Sequence, residues 1–268
     1  MKAININLST AIFFVVLSVG SIEKIAAQAA PTEHSKADSV VAKALKILGG
    51  DKYMGVRSQV GRGKFSVIKD GAVVSFQTFT DAIIYPGTER TDFRSGSSRT
   101  VQVNRGDSGW IYDGDQELIK TQTPVQVENF KRGIRTSLDN LLRGYWKGSA
   151  ELSYVGRRPG TLGTRNDVLR LTYNDGFAIE FEFADDGTPQ KAVYKSQEEG
   201  ADPIPEEDRY AQFIDVDGIK APFIVDRFTG GAHVSRINYE SIEINKSLPD
   251  AVFAKPASAK EAKKGIKF

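Results

Sequence analysis

The sequence contains no cysteine in 268 residues and only two histidines, His34 and His233. A chain without cysteine cannot form disulfides, Cys-ligated zinc sites, iron–sulfur clusters or thiol nucleophiles. Two histidines make metal sites and catalytic triads that depend on histidine hard to assemble. We therefore expect a protein that is not an enzyme and that has neither a metal nor a cofactor.

The chain also lacks an excess of charge of either sign. Lys and Arg number 36 against 34 Asp and Glu, which gives a formal net charge of +2. This balance excludes a strongly polybasic protein that binds nucleic acid by neutralising many phosphates. Apolar residues make up 40% of the chain and aromatic residues 10%, a composition that favours a folded globular protein over disorder.

The N-terminal residues have the pattern of an export signal. Lys2 precedes an apolar stretch at residues 11–17, and Glu23 and Lys24 end the apolar run too early for it to span a membrane. Small residues at 27 and 29 predict cleavage near Ala29. We therefore expect residues 1–29 to be a cleaved signal peptide and the mature protein to be periplasmic. No cysteine follows that could carry a lipid.

Hydropathy patterning in the rest of the chain predicts a mainly antiparallel β protein with a few helices. Residues 38–48 have helical spacing and end at Gly49-Gly50, and from Ser58 the period of the apolar residues changes to two. Turn signals such as Asp70-Gly71 and Asp217-Gly218 then recur along the chain, which is typical of a sandwich or a barrel. The expected strands are residues 64–67, 73–85, 90–94, 100–104, 109–112, 167–173, 177–183, 191–195, 209–216, 220–228 and 232–245.

One segment in mid-chain interrupts the strands. Residues 124–146 have apolar side chains every three or four positions with cations on the other faces, which predicts an amphipathic helix or a helical pair broken at Gly133. No linker divides the chain. We expect one domain over residues 30–256 and a basic flexible tail over residues 257–268.

Two short motifs carry a resemblance to a known family. Residues 109–116 (Gly-Trp-Ile-Tyr-Asp-Gly-Asp-Gln) resemble a strand and turn of the outer-membrane lipoprotein carrier superfamily, the LolA/LolB-like proteins. Residues 217–223 and 245–256 resemble the ending of exported lipoprotein-sorting-like proteins of that group. The resemblance implies a single antiparallel half-open β-barrel capped by the mid-chain helices, with a cavity for acyl chains under a helical lid.

The side chains assigned to this cavity follow from strand alternation and from the mid-chain helix. Phe177 to Phe183 alternate with Glu180 and Glu182, so the apolar face either packs as core or lines a cavity. The side chains expected to line the cavity are Phe65, Val67, Phe76, Trp110, Tyr112, Phe177, Ile179, Phe181 and Phe183. Those expected on the lid helix are Phe130, Ile134, Leu138, Leu141, Leu142 and Tyr145.

The function expected from these features is that of a non-catalytic carrier for lipids or for the acyl chains of lipoproteins. Its partners would be those acyl chains and a membrane-bound donor or acceptor protein, with no nucleic acid, and the chain would be a monomer. One alternative is an envelope sensor or assembly module whose barrel is packed solid. Another is a hydrolase or a metal-binding protein that uses His233 or the paired carboxylates at Asp113 and Asp115 and at Asp215 and Asp217.

Overall fold

The chain folds as one large antiparallel sheet that curves around helices. The structure, a computed structural model, describes residues 33–196 and 202–263, so the predicted signal peptide at residues 1–29 lies outside the described residues. The strands are β1 Ser58–Lys69, β2 Ala72–Ile84, β3 Thr88–Ser95, β4 Ser98–Arg105, β5 Ser108–Asp113, β6 Leu118–Thr121, β7 Ala150–Pro159, β8 Arg165–Tyr173, β9 Ala178–Phe183, β10 Pro189–Lys195, β11 Pro205–Val216, β12 Ile219–Thr229 and β13 Ala232–Ile244. The helices are α1 Glu33–Leu48, α2 Asp51–Met54, α3 Pro124–Thr136, α4 Leu138–Arg143 and α5 Ala259–Lys263.

The order of the strands is β6-β5-β4-β3-β2-β1-β13-β12-β11-β10-β9-β8-β7. Two meanders therefore meet at the pairing of β1 with β13, and β6 and β7 form the two outer edges, which do not pair with each other in the described residues. The predicted antiparallel half-open barrel capped by mid-chain helices is confirmed. None of the helices in residues 33–196 and 202–263 is long and apolar enough to cross a membrane.

One half of the concave face is filled by helices. Val40, Ala44 and Leu48 of α1 belong to one core cluster with Leu169 of β8 and Phe181 of β9, which are fully buried. At the end of α1, Gly49 has φ 125°, and a Cβ there would lie 2.6 Å from the carbonyl oxygen of Gly218. Glycine thus lets the helix end directly against the β11–β12 turn.

The convex face of β3–β5 is covered by residues 246–263, which we call the C-terminal strap. Val252 and Phe253 pack on Trp110, whose indole Nε1 donates to the carbonyl oxygen of Phe253 at 3.1 Å. Within the segment expected to be a flexible tail, residues 259–263 form α5, and Ala262 is 6% exposed. The folded region thus extends past residue 256.

A buried charge cluster fixes the C-terminal strap to the sheet. The Asp92 carboxylate accepts from Arg90 Nε at 2.9 Å and from Arg99 Nη2. The same two guanidinium groups donate to strap carbonyl oxygens, Arg90 to Val252 at 2.7 Å and Arg99 to Ala262. All three charged side chains are less than a tenth exposed.

Candidate functional site

The half of the concave face that α1 leaves free contains a cavity of about 760 Å³. Its walls are formed by strands β1–β3 and β10–β13, and helices α3 and α4 lie along it. Its size falls within the range of about 300–1,000 Å³ that is typical of small-molecule sites. The barrel is therefore partly filled and partly hollow.

Much of the cavity wall is apolar and aromatic. Phe65 and Phe93 meet edge to face at 6.2 Å between ring centroids, and Phe79 and Tyr239 do so at 5.4 Å. Further apolar side chains at the cavity are Ile83, Val225, Phe228, Val234, Ile237 and Ile242. They come from neighbouring antiparallel strands, and they reach the same cavity because side chains that alternate along a strand lie on one face of the sheet.

Helix α3 lies along the cavity and contributes Phe130 and Ile134 to its lining. The helix begins at a capping box, in which the Thr123 hydroxyl accepts from the backbone N–H of Gln126. Lys131 pairs with Asp107 in the β4–β5 turn. At the other end of the helix, Arg135 links α3 to the opposite half of the sheet.

Arg135 attaches the C-terminal end of α3 to the β8–β9 turn. Its two terminal nitrogens donate to the two carboxylate oxygens of Asp175 at 2.7 and 2.8 Å. The guanidinium also lies 3.9 Å from the ring centroid of Tyr173 and 4.8 Å from that of Phe177. Such bidentate and stacked contacts favour arginine over lysine.

Helix α4 is held more firmly than α3. Leu141 and Leu142 are buried in the core under α1. Arg143 donates to Asp139 at 2.7 Å and to the carbonyl oxygen of Val56 at 3.1 Å, and its ion-paired side chain is 4% exposed. The two mid-chain helices thus differ in how much of their surface is packed.

The mid-chain segment is a broken helical pair, as the spacing allows, but the predicted break at Gly133 is wrong. Gly133 lies inside α3. The break falls at Ser137, whose backbone is extended (φ −71°, ψ 147°) and whose hydroxyl accepts from the Asn140 N–H at 3.1 Å. The cap that starts α4 therefore determines where α3 ends.

Two carboxyl groups face the cavity from β2 and β3, and no expectation from the sequence included them. Asp81 accepts a hydrogen bond from the Thr91 hydroxyl at 2.8 Å, and Glu89 accepts one from the Asn104 amide at 3.4 Å. Burial raises the pKa of Asp81 well above its ordinary value, and the nearby charge of Glu89 adds to this. Burial also raises the pKa of Glu89. The sequence signal was the position of Asp81 on the same strand face as Phe79 and Ile83.

A third carboxyl, the partly buried Asp208 on β11, lies on the other side of the cavity. Arg227 on β12 pairs with it at 3.5 Å. Burial raises the pKa of Asp208, and the Arg227 charge opposes the rise. Tyr194 and Tyr210 line the same wall, and burial raises the pKa of both hydroxyls.

Of the nine side chains expected to line a cavity, the structure brings Phe65 to it. Val67 is 39% exposed, and Phe76 is 59% exposed on the convex face of β2. Trp110 and Tyr112 also lie on the convex face, where the C-terminal strap covers them. Four more of the expected side chains lie on the concave face but pack against helices in its filled half: Phe177, Ile179, Phe181 and Phe183. None of these eight side chains lines the cavity, contrary to the expectation. Helices cover the four in the filled half, the C-terminal strap covers Trp110 and Tyr112, and Val67 and Phe76 are open to solvent.

Of the six side chains expected on the lid, four are at the cavity. Phe130 and Ile134 come from α3, Leu138 from α4, and Tyr145 follows α4. Leu141 and Leu142 are instead core residues, because α4 turns that side toward α1.

The paired carboxylates have local roles in turns. Asp113 Oδ1 accepts from the backbone N–H groups of Asp115 and Gln116, both at 3.1 Å, and Asp215 Oδ1 accepts from that of Gly218 at 2.9 Å. No group of three or more metal-ligating side chains occurs in residues 33–196 and 202–263. These contacts are ordinary turn chemistry.

His233 is engaged by a carboxylate and a backbone group. Its Nε2 lies 3.0 Å from Asp226 Oδ1 and 3.1 Å from the carbonyl oxygen of Ser235. Its ring stacks on Phe228 at 4.7 Å. Within the described part of the chain, no hydroxyl nucleophile is bonded to this imidazole.

Comparison with known proteins identifies the fold. No protein-family model matches the chain, and no curated protein sequence matches it either. Among solved structures, a DUF1329 family protein from Desulfovibrio piger superposes with a TM-score of 0.59 at 14% identity, covering 83% of this chain and 98% of that one. A LolA superfamily protein from Nitrosomonas europaea gives a TM-score of 0.56 at 17% identity, covering 82% and 97%.

A third solved structure belongs to the same group of folds. A putative outer membrane lipoprotein-sorting protein domain from Vibrio parahaemolyticus superposes with a TM-score of 0.57 at 12% identity, covering 81% of this chain and 97% of that one. The chain therefore has a LolA-like fold, as the motif at residues 109–116 predicts. At these identities the likeness defines the fold, and function has to be argued from the cavity.

Proposed function

We propose that the protein is a periplasmic, non-catalytic carrier that holds lipids or the acyl chains of lipoproteins in its concave cavity. The observation that carries the proposal is the cavity of about 760 Å³ bounded by aromatic and aliphatic side chains in a LolA-like half-barrel. Each methylene moved from water into such surroundings contributes about 0.8 kcal/mol. The structural relative from Vibrio parahaemolyticus, described as a putative lipoprotein-sorting domain, supports the same proposal.

Helix α3 would be the lid of this cavity, hinged at Ser137. Its ion pairs with Asp107 and Asp175 are exposed or partly exposed, and water weakens pairs of this kind. Helix α4 would stay in place because Leu141 and Leu142 are buried. A lid attached through Lys131 and Arg135 can open while α4 stays in the core.

Cavity binding is tested by filling the cavity. Val225 lies between Tyr210 and Ile237 on neighbouring strands of the concave wall. Val225→Trp should abolish uptake of a fluorescent fatty acid, and Phe76→Trp on the exposed convex face should leave uptake unchanged. Equal uptake by both variants would refute a ligand site in the cavity.

Native mass spectrometry of protein purified from the periplasm without detergent tests the cargo and the processing together. We expect an adduct in the mass range of a lipid, lost on delipidation and regained on adding lipid. We also propose that the mature chain begins near Ala30, which the same mass would verify. A chain mass that retains residues 1–29 would refute the signal-peptide assignment.

A further inference from the structure

One wall of the cavity carries carboxyl groups that are not paired with a cation. Asp81 is 4% exposed, and its Oδ1 accepts from the Thr91 hydroxyl. Among the residues that the structure describes, no hydrogen bond or ion pair reaches its Oδ2. Glu89, on the neighbouring strand, accepts only from the Asn104 amide within the same described residues. A carboxyl as buried as Asp81 is normally paired, so this wall can accept a cationic partner from the cavity.

Two of the cations at the cavity are paired with other carboxylates. The cationic side chains that line it are Arg132, Arg143, Lys220 and Arg227. Arg143 is paired with Asp139, and Arg227 is paired with Asp208 at 3.5 Å. Lys220 is exposed to solvent at the start of β12. Burial raises the pKa of Glu89 and the charge of Arg227 opposes the rise, but the ion pair of Arg227 is with Asp208. An ammonium group placed beside Asp81 and Glu89 would favour their ionised forms, whereas an anionic headgroup would oppose them.

Aromatic rings complete the same wall. The Tyr239 ring lies against β1 at Gly61, since a Cβ on Gly61 would lie 2.5 Å from its Cε1 atom. Phe79 meets this ring edge to face at 5.4 Å. Gly61 is the register partner of Asp81, so the Tyr239 ring lies beside Asp81 on the concave face. Burial raises the pKa of the Tyr239 hydroxyl, the charges of Asp81 and Glu89 add to this, and the charge of Arg227 opposes it. Carboxylates combined with aromatic faces are the usual surroundings of bound ammonium groups.

We propose, building on the carrier function above, that the cavity selects amphiphiles whose polar end carries an ammonium group, and that Asp81 and Glu89 determine this selectivity. The apolar wall would hold the alkyl chain, and the two carboxyls with Tyr239 would hold the cation. A ligand with a carboxylate or phosphate as its only headgroup charge would bind less tightly.

The test is displacement of the neutral dye diphenylhexatriene by three amphiphiles with the same twelve-carbon chain: dodecylamine, dodecanol and dodecanoate. In the unaltered protein, we expect dodecylamine to compete at a concentration at least about ten-fold lower than dodecanoate, with dodecanol between them. The Asp81→Asn/Glu89→Gln variant should lose this preference and still bind dodecanol and the dye.

A matched control removes two carboxylates from the other side of the same sheet. Glu240 and Glu243 on β13 pair with Lys64 and Arg62 and are about half exposed. Glu240→Gln/Glu243→Gln should keep the preference for dodecylamine, and its loss there would overturn the role of Asp81 and Glu89. If the cavity double variant fails to fold, each single variant is expected to weaken the preference.

The outcomes separate this inference from the carrier function. If the dye and dodecanol bind but dodecanoate competes as well as dodecylamine, the carrier proposal stands and the selectivity is refuted. If nothing binds, both fail. Dihexanoyl phosphatidylethanolamine and a palmitoylated lysine dipeptide distinguish a lipid headgroup from a lipoprotein lysine as the source of the amine. Failure of both to compete would overturn the assignment to a biological amine.

Discussion

Replacing Asp92 by asparagine should destabilise the protein more than almost any other single polar change. In the folded chain its carboxylate lies between Arg90 and Arg99, and the three side chains are 4–8% exposed. Burial lowers the pKa of the Arg90 guanidinium, and the Asp92 charge opposes this. The asparagine variant would leave two guanidinium groups buried without a counter-charge.

The size of the effect follows from this burial. Removing one partner of a buried ion pair costs about 3–5 kcal/mol, a large part of a total stability of about 5–15 kcal/mol. With a urea m-value of about 3 kcal/mol/M, the midpoint of unfolding should fall by about 1–2 M. Asp92→Asn/Arg99→Gln should recover part of the loss, because it removes one of the uncompensated cations.

The assay is urea unfolding followed by far-UV circular dichroism and by tryptophan fluorescence. Trp110 reports on the C-terminal strap, because its indole donates to the Phe253 carbonyl oxygen. Glu243→Gln is the control, since its pair with Arg62 is partly exposed and should contribute less than about 1 kcal/mol. A loss of less than about 1 kcal/mol in Asp92→Asn would refute the reasoning that the cluster depends on its one carboxylate.

Four further predictions concern the core, the cavity, the end of α1 and the lid. Phe181→Ala should cost about 3–5 kcal/mol of unfolding free energy, whereas Phe76→Ala should cost less than about 0.5 kcal/mol; similar losses in denaturant unfolding would contradict the assignment of the filled half. Burial raises the folded-state pKa of Asp81, so the protonated carboxyl is the form that the folded state favours. The contribution of this group to stability is fully present below the unfolded pKa of about 3.9 and is lost as pH rises through the folded pKa. Asp81→Asn should therefore gain stability relative to the parent between pH 4 and pH 8, and a difference independent of pH would argue against a buried carboxyl. Gly49→Ala should lower the melting temperature, because its Cβ would lie 2.6 Å from a backbone oxygen at a φ of 125°; an unchanged melting temperature would show that the turn can adjust. Arg135→Ala should speed dye release several-fold in stopped-flow measurements with little change in the urea midpoint, and unchanged release would argue against this arginine as the lid attachment.

The strand meander could be predicted from the sequence because turn signals and period-two alternation agree along most of the chain. Two strands were missed. β6 has only four residues, and β7 is an edge strand in which Gly156, at φ 129°, interrupts the pairing with β8. Alternation is weakest where one neighbour is missing, so short edge strands give little signal.

The cavity was harder to predict because alternation defines two faces of a strand but does not say what covers each. Trp110 is on the face covered by a strap that lies more than 130 residues away in sequence. Phe181 and Phe65 both lie on the concave face, yet α1 fills one half of it and leaves the other hollow. Long-range packing decides between core and lining, and neither composition nor periodicity contains it.

The pairing of β1 with β13 also has a consequence for how the protein reaches its folded state. Gln59 pairs with Ile244, so the centre of the sheet joins residues about 185 positions apart. Contacts between distant parts of a chain form slowly, because loop closure has to precede them. The two meanders can each begin to form alone, but the seam between them needs β13, which is synthesised only after the eleven strands β2 to β12. A chain exported as proposed above would thus lack its central seam until β13 had crossed the membrane, which fits export in an unfolded state.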